Sequence, residues 1–180
     1  MRKAVLFLLI LTMTLSLFTG CKSTEEDFDY VVLFGGINDA MESVEVGSCS
    51  DSYLSKDFNT STFAGGLENL IFYTLHYYGD TAAVGYMSCF KTPNYANGRC
   101  ADMSAYYEVA KQICEKWQIP YFDMYNHEKL NEELIYDTTV YTTDYLHPNP
   151  GGYDIIAPYV AEFMRTMTPC PQEILAKCMK

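Results

Sequence analysis

Asp29 to Phe34, Asp-Tyr-Val-Val-Leu-Phe, runs without a polar break after its first residue and is closed by Gly35-Gly36. No other feature restricts the fold as much. A half-exposed strand alternates apolar and polar residues, whereas an unbroken apolar run bounded by turn residues suits a strand buried on both faces, as in a parallel sheet covered by helices. Ala82–Met87 and Ile119–Met124 are two further short strand candidates. Between and after them lie helical patterns. Asn59–Tyr78 places Phe63, Leu67, Leu70, Ile71 and Thr74 on one face, with Thr60, Ser61 or Thr62 available as the cap. Asp102–Trp117 does the same through Met103, Tyr106, Ala110, Ile113 and Trp117, and Tyr153–Met167 through Ile156, Val160, Phe163 and Met167. The order strand, helix, strand, helix, strand, helix predicts an α/β fold with a short parallel sheet and right-handed crossovers.

The N-terminus reads differently. Arg2 and Lys3 precede an apolar run from Ala4 to Phe18 that ends in Thr19-Gly20-Cys21, the order of an export signal. As a helix this run reaches only ~22 Å, short of the ~30 Å a bilayer core demands. Residues 1–20 are therefore expected to be a signal segment. Leu17-Phe18-Thr19-Gly20-Cys21 also resembles a bacterial lipobox, which makes Cys21 the expected lipidation site and the cell envelope the expected location, with ordinary secretion as the alternative. Residues 21–28 read as a polar tether, 29–168 as the folded domain and 169–180 as a C-terminal tail. Twelve basic against 23 acidic residues leave a formal charge of −11, which repels phosphate backbones and argues against nucleic acid as a partner.

Six cysteines follow Cys21: Cys49, Cys89, Cys100, Cys114, Cys170 and Cys178. An even number in an exported chain permits disulfides, and the close spacings favour Cys89 with Cys100 and Cys170 with Cys178, although connectivity is not readable from sequence. No CxxC pair occurs and the three histidines are scattered, so no metal site is indicated.

Reactive groups in open parallel sheets collect beyond the carboxyl ends of the strands. Two loops carry polar clusters there. Gly35-Gly36-Ile37-Asn38-Asp39 follows the first strand, and Asp144-Tyr145-Leu146-His147-Pro148-Asn149 precedes the last helix. Taken singly, the first is the composition of a turn and the second that of a loop ion pair. Together, Gly36-Ile37-Asn38-Asp39 and Asp144-Tyr145-Leu146-His147 resemble the third and fifth sequence blocks, Gly-x-Asn-Asp and Asp-x-x-His, of the SGNH or GDSL-type hydrolases. The intervening STFAGGLENLI, AAVGYM and YYEVAKQICEKWQIPYFDMYN segments and the ending HPNPGGYDIIAPYVAEF are similar to the same family.

The resemblance implies a three-layer, flavodoxin-like sandwich and an ester hydrolase acting on small-molecule, lipid or carbohydrate esters without metal or organic cofactor. It assigns His147 as general base, Asp144 as the group orienting its imidazole, and Asn38 as a donor to the oxyanion. His76 and His127 are expected to be surface residues. The match is incomplete. The family's opening Gly-Asp-Ser strand and its second block are missing, so the fold is expected to be truncated at its N-terminal strands and the enzyme assignment stays open. Ser48, Ser50 and Cys49, in Gly47-Ser48-Cys49-Ser50-Asp51, are the weak substitutes for a nucleophile. Without its first strand, the edge of Asp29–Phe34 should be bare and is expected to pair in a homodimer or with a partner chain. The alternative is a non-catalytic surface lipoprotein, or a family remnant, that binds without hydrolysis.

Overall fold

The structure is a computed structural model that describes Leu6, Phe7, 28–135 and 138–178. Cys21, the polar tether as far as Asp27 and most of the signal segment lie outside the described residues. Four parallel strands pair in the order β1 (Leu6–Phe7), β2 (Tyr30–Phe34), β3 (Ala83–Met87) and β4 (Tyr121–Phe122). In register, Tyr30 faces Ala83 and Phe34 faces Met87, and Tyr86 and Met87 face β4. Helices α1 (Ile37–Met41), α2 (Phe63–Tyr78), α3 (Ser104–Trp117), α4 (Glu128–Leu134), α5 (Pro150–Thr166) and α6 (Gln172–Cys178) complete the order.

Side chains on β2 and β3 alternate between two cores. Val31, Leu33, Val84 and Tyr86 pack with α2, α3 and α6. Val32, Ala83 and Met87 pack on the opposite side with Phe163 and Met167, which belong to the α5 region. Burial on both faces explains why both strands read as continuous apolar runs. Gly85 is the thinnest point of the sheet, since a Cβ there would lie 3.0 Å from the ends of Phe163 and Met167.

The three sequence-read strands and three sequence-read helices are all present, each within a few residues. Thr62 is the cap of α2, its hydroxyl accepting the Gly65 N–H at 3.2 Å. The last helix begins earlier than its apolar period suggests. Asn149 caps it, accepting the Gly152 N–H at 3.1 Å, and Pro150 opens the first turn, where its missing N–H has no bond to lose.

Three expectations change, and one helix is added. The C-terminal segment is part of the core, because α6 buries Ile174, Leu175 and Cys178 against α2 and α3; seven residues are too few for a helical period to stand out. Helix α4 was likewise not legible, its cap being an imidazole: His127 Nδ1 accepts the Leu130 N–H at 3.1 Å. The six described cysteines are free thiols, and the expected Cys89–Cys100 and Cys170–Cys178 bridges are not formed. Cys100 and Cys170 point instead at the carbonyls of Ile37 and Trp117, at 3.8 and 3.7 Å. Finally, the edge of β2 is not wholly bare, since Leu6 and Phe7 pair in parallel with Val31 and Val32. An export-signal core and a buried parallel strand have the same apolar composition, so sequence alone separates them poorly. Among the described residues no helix is long and apolar enough to cross a membrane.

Candidate active site

Both loops singled out from the sequence emerge near the second core, which holds Ile37 and has Ala40, Met41, Tyr95 and Leu146 packed against it. At the end of β2 the chain turns through Gly36, whose φ of +107° favours glycine. A Cβ there would make ordinary contact with the rings of Tyr107 and Phe63, at 3.4 and 3.5 Å, so the backbone and not space is the constraint. This turn starts α1, and Asn38 in its first turn is exposed.

The second loop is a tight hairpin. Thr143 N–H donates to the His147 carbonyl at 2.8 Å, and Asn149 N–H to that of Tyr141 at 3.0 Å. Tyr145 adopts φ of +70°, and its N–H donates to Thr142 Oγ1 at 3.0 Å. Asp144 organises the turn, one carboxylate oxygen accepting the N–H groups of Leu146 and His147 at 3.2 and 2.8 Å. The other lies 2.7 Å from His147 Nδ1. Burial raises the Asp144 pKa, but the amide and ring of His147 and the amide of Leu146 together outweigh it and hold the carboxyl below its ordinary range. The His147 side chain is 65% exposed, so Nε2 is accessible to a reacting group.

The structure brings Asp144 and His147 into hydrogen-bond contact, and α1, which carries the exposed Asn38, packs Ile37, Ala40 and Met41 on the same core as Leu146 of their loop. It does not bring the candidate nucleophiles there. Ser50 N–H donates to Glu68 Oε2 at 2.9 Å, and its Oγ accepts the Ser52 N–H at 3.0 Å. The Cys49 thiol lies 3.8 Å from Glu68 Oε1. Burial and the Glu68 charge push that thiol's pKa up against the pull of Lys116, the wrong direction for a nucleophilic thiolate. Ser48 is exposed on the same loop, which packs Val46, Cys49 and Tyr53 against the first core.

Of the remaining histidines, His76 is exposed, stacks on Phe72 and sits 3.3 Å from the Cys178 carbonyl. His127 is half-buried and spent on its cap. Sequence reasoning missed Tyr95, whose ring meets His147 edge-on, with centroids 6.1 Å apart and planes at 85°. Nothing in its local sequence marks it. Two surface grooves, of about 430 and 510 Å³, lie elsewhere, one around Ser104, Lys111 and Asp123 and the other between α4 and α5. Neither is lined by Asn38, Asp144 or His147.

The family model for the GDSL-like lipase/acylhydrolase family matches residues 13–155. The chain belongs to that family. Three crystal structures share the fold: one at 22% identity with a TM-score of 0.62 over 78% of this chain, a protein from Lactobacillus plantarum at 22% and 0.63 over 81%, and a candidate GDSL-like lipase from Bacteroides ovatus at 15% and 0.55 over 79%. The chain spans 66%, 70% and 56% of their respective lengths. No curated protein matches it.

Proposed function

We propose that this protein is an exported, lipid-anchored ester hydrolase acting on carboxyl esters or ester-substituted carbohydrates. His147 serves as general base, Asp144 holds its Nδ1 and stabilises the imidazolium, and Asn38 donates to the developing oxyanion. The 2.7 Å bond between His147 Nδ1 and Asp144 Oδ2 carries this reading. It sets the imidazole tautomer and presents Nε2 outward, where a nucleophile's proton would be taken. Family membership supports ester chemistry, while the apolar run to Phe18 and Cys21 support export and anchoring.

The test is fluorophosphonate labelling of the full chain, mapped by peptide mass, with p-nitrophenyl acetate turnover on the same sample. A label on one hydroxyl, lost with turnover in His147→Ala, is the expected result. A folded chain with neither label nor turnover would overturn it. One observation favours a second reading: no described serine is hydrogen-bonded to His147. Loss of the nucleophile from a triad costs ~10⁶ in turnover, so a chain without one would be a surface lipoprotein that binds esters and does not cleave them.

A further inference from the structure

Among the described residues the His147 imidazole has one polar partner, Asp144, and one aromatic neighbour, Tyr95. An exposed imidazole held only at Nδ1 can still turn about its Cα–Cβ and Cβ–Cγ bonds. Tyr95 reaches it from the loop between β3 and α3, and that loop is pinned on both sides. On one side Lys91 N–H donates to Asn131 Oδ1 at 2.9 Å. On the other, the buried Cys100 thiol donates to the Ile37 carbonyl at 3.8 Å, one residue before Asn38. Tyr95 therefore sits on a loop tied directly to the element that carries Asn38, while its ring touches His147.

The backbone that follows Tyr95 is unusual. Ala96, Asn97 and Gly98 have φ of +51°, +58° and +81°, three successive left-handed residues of which two are not glycine. Such conformations persist where surrounding contacts over-determine them. Here the turn closes tightly, with Tyr95 N–H on the Thr92 carbonyl at 3.2 Å and Ala101 N–H on that of Gly98 at 3.1 Å. Tyr95 is half-buried, and its pKa is raised by burial first and then by the Asp144 charge.

We infer that Tyr95 is a positioning residue for His147: its ring edge braces the imidazole and restricts rotation about its Cα–Cβ and Cβ–Cγ bonds. Edge-to-face aromatic contacts of this geometry are favourable beyond their buried area. The ring, not the hydroxyl, does this. The inference deepens the hydrolase reading, but its central observable does not depend on turnover.

The experiment compares the full chain with Tyr95→Phe, Tyr95→Leu and Tyr95→Ala by the His147 ring-proton resonances, alongside p-nitrophenyl acetate kinetics. The His147 signals are assigned by their loss in His147→Ala, and the amide spectrum confirms folding. Tyr95→Phe is expected to leave the His147 shifts and kcat unchanged. Tyr95→Leu and Tyr95→Ala are expected to move and average those shifts and to lower kcat by up to about 100-fold, as misplacement of a catalytic group by ~1 Å does, with KM little altered. Exchange-broadened or averaged ring signals in Tyr95→Ala, beyond the displacement that loss of the Tyr95 ring current produces, without turnover in the parent chain would uphold the bracing role and overturn the hydrolase reading. Ring signals that are displaced but stay sharp in a folded Tyr95→Ala would overturn the bracing role whatever the kinetics. If Tyr95→Ala does not fold, Tyr95→Leu decides on the same signals.

Discussion

The loop at Asp144–His147 and the loop at Gly47–Tyr53 are both crowded with polar side chains, yet they use them in opposite ways. In the first, one carboxylate satisfies two amides and an imidazole within a span of four residues, and the working atom faces solvent. In the second, the polar groups turn inward. Glu68 is fully buried and pairs with Lys116. Ser50 and Cys49 complete the carboxylate's hydrogen bonds, and the Lys116 ammonium lies over the rings of Tyr53, Phe58 and Trp117 at 4.8, 5.3 and 5.2 Å. A cluster that resembles a reactive loop in sequence is a clamp between α2 and α3. The contrast teaches that polar density marks a site only where a polar atom is left facing outward.

The largest test of this contrast is Asp144→Asn. In a serine protease the equivalent change leaves geometry intact and lowers turnover ~10⁴-fold. A similar loss in ester turnover, with the thermal midpoint nearly unchanged, is expected; a stability loss with turnover retained would reverse the roles given to the two loops. Glu68→Ala should do the opposite. Removing one partner of a buried pair costs about 3–5 kcal/mol, read as a lower urea midpoint, and Glu68→Gln with Lys116→Met should recover part of it. Gly36→Ala comes next, at about 1–3 kcal/mol for a left-handed non-glycine residue, with Asn38 moved along with the turn.

Acid titration gives a smaller effect. The Asp144 pKa is lowered in the folded state, so the unfolded chain binds more protons between the two values. Its contribution is then complete above the ordinary carboxylate range and is lost as pH falls through the folded value. Solvent screening keeps this small, because the side chain is 45% exposed. A thermal midpoint followed from pH 6 to about pH 2 should fall less steeply in Asp144→Asn than in the parent. Ser48→Ala is expected to be the least consequential change, leaving turnover, labelling and stability alone. Loss of label in that variant would make the exposed loop the nucleophile's home.

Which parts were legible follows from range. Asp144 and His147 are three residues apart, so a single turn sets their geometry and spacing alone exposes it. The strands Tyr30–Phe34 and Ala83–Met87 were legible because burial on both faces leaves a one-dimensional signature. Tyr95 and His147 meet from loops on either side of α3 and β4, and no local pattern encodes that contact. Glu68 and Lys116, on separate helices, are hidden for the same reason.

Sequence by itself therefore determined the parallel α/β architecture, the Asp144–His147 pair and the family, since each depends on local periodicity or short spacing. Only the tertiary structure decided that Ser50 and Cys49 serve a buried carboxylate, that α6 completes the first core, that Leu6 and Phe7 lie on the edge of β2, and that Tyr95 touches His147. Those outcomes depend on which surfaces meet when apolar faces are buried together, and contacts across long loops leave no periodic trace in the chain.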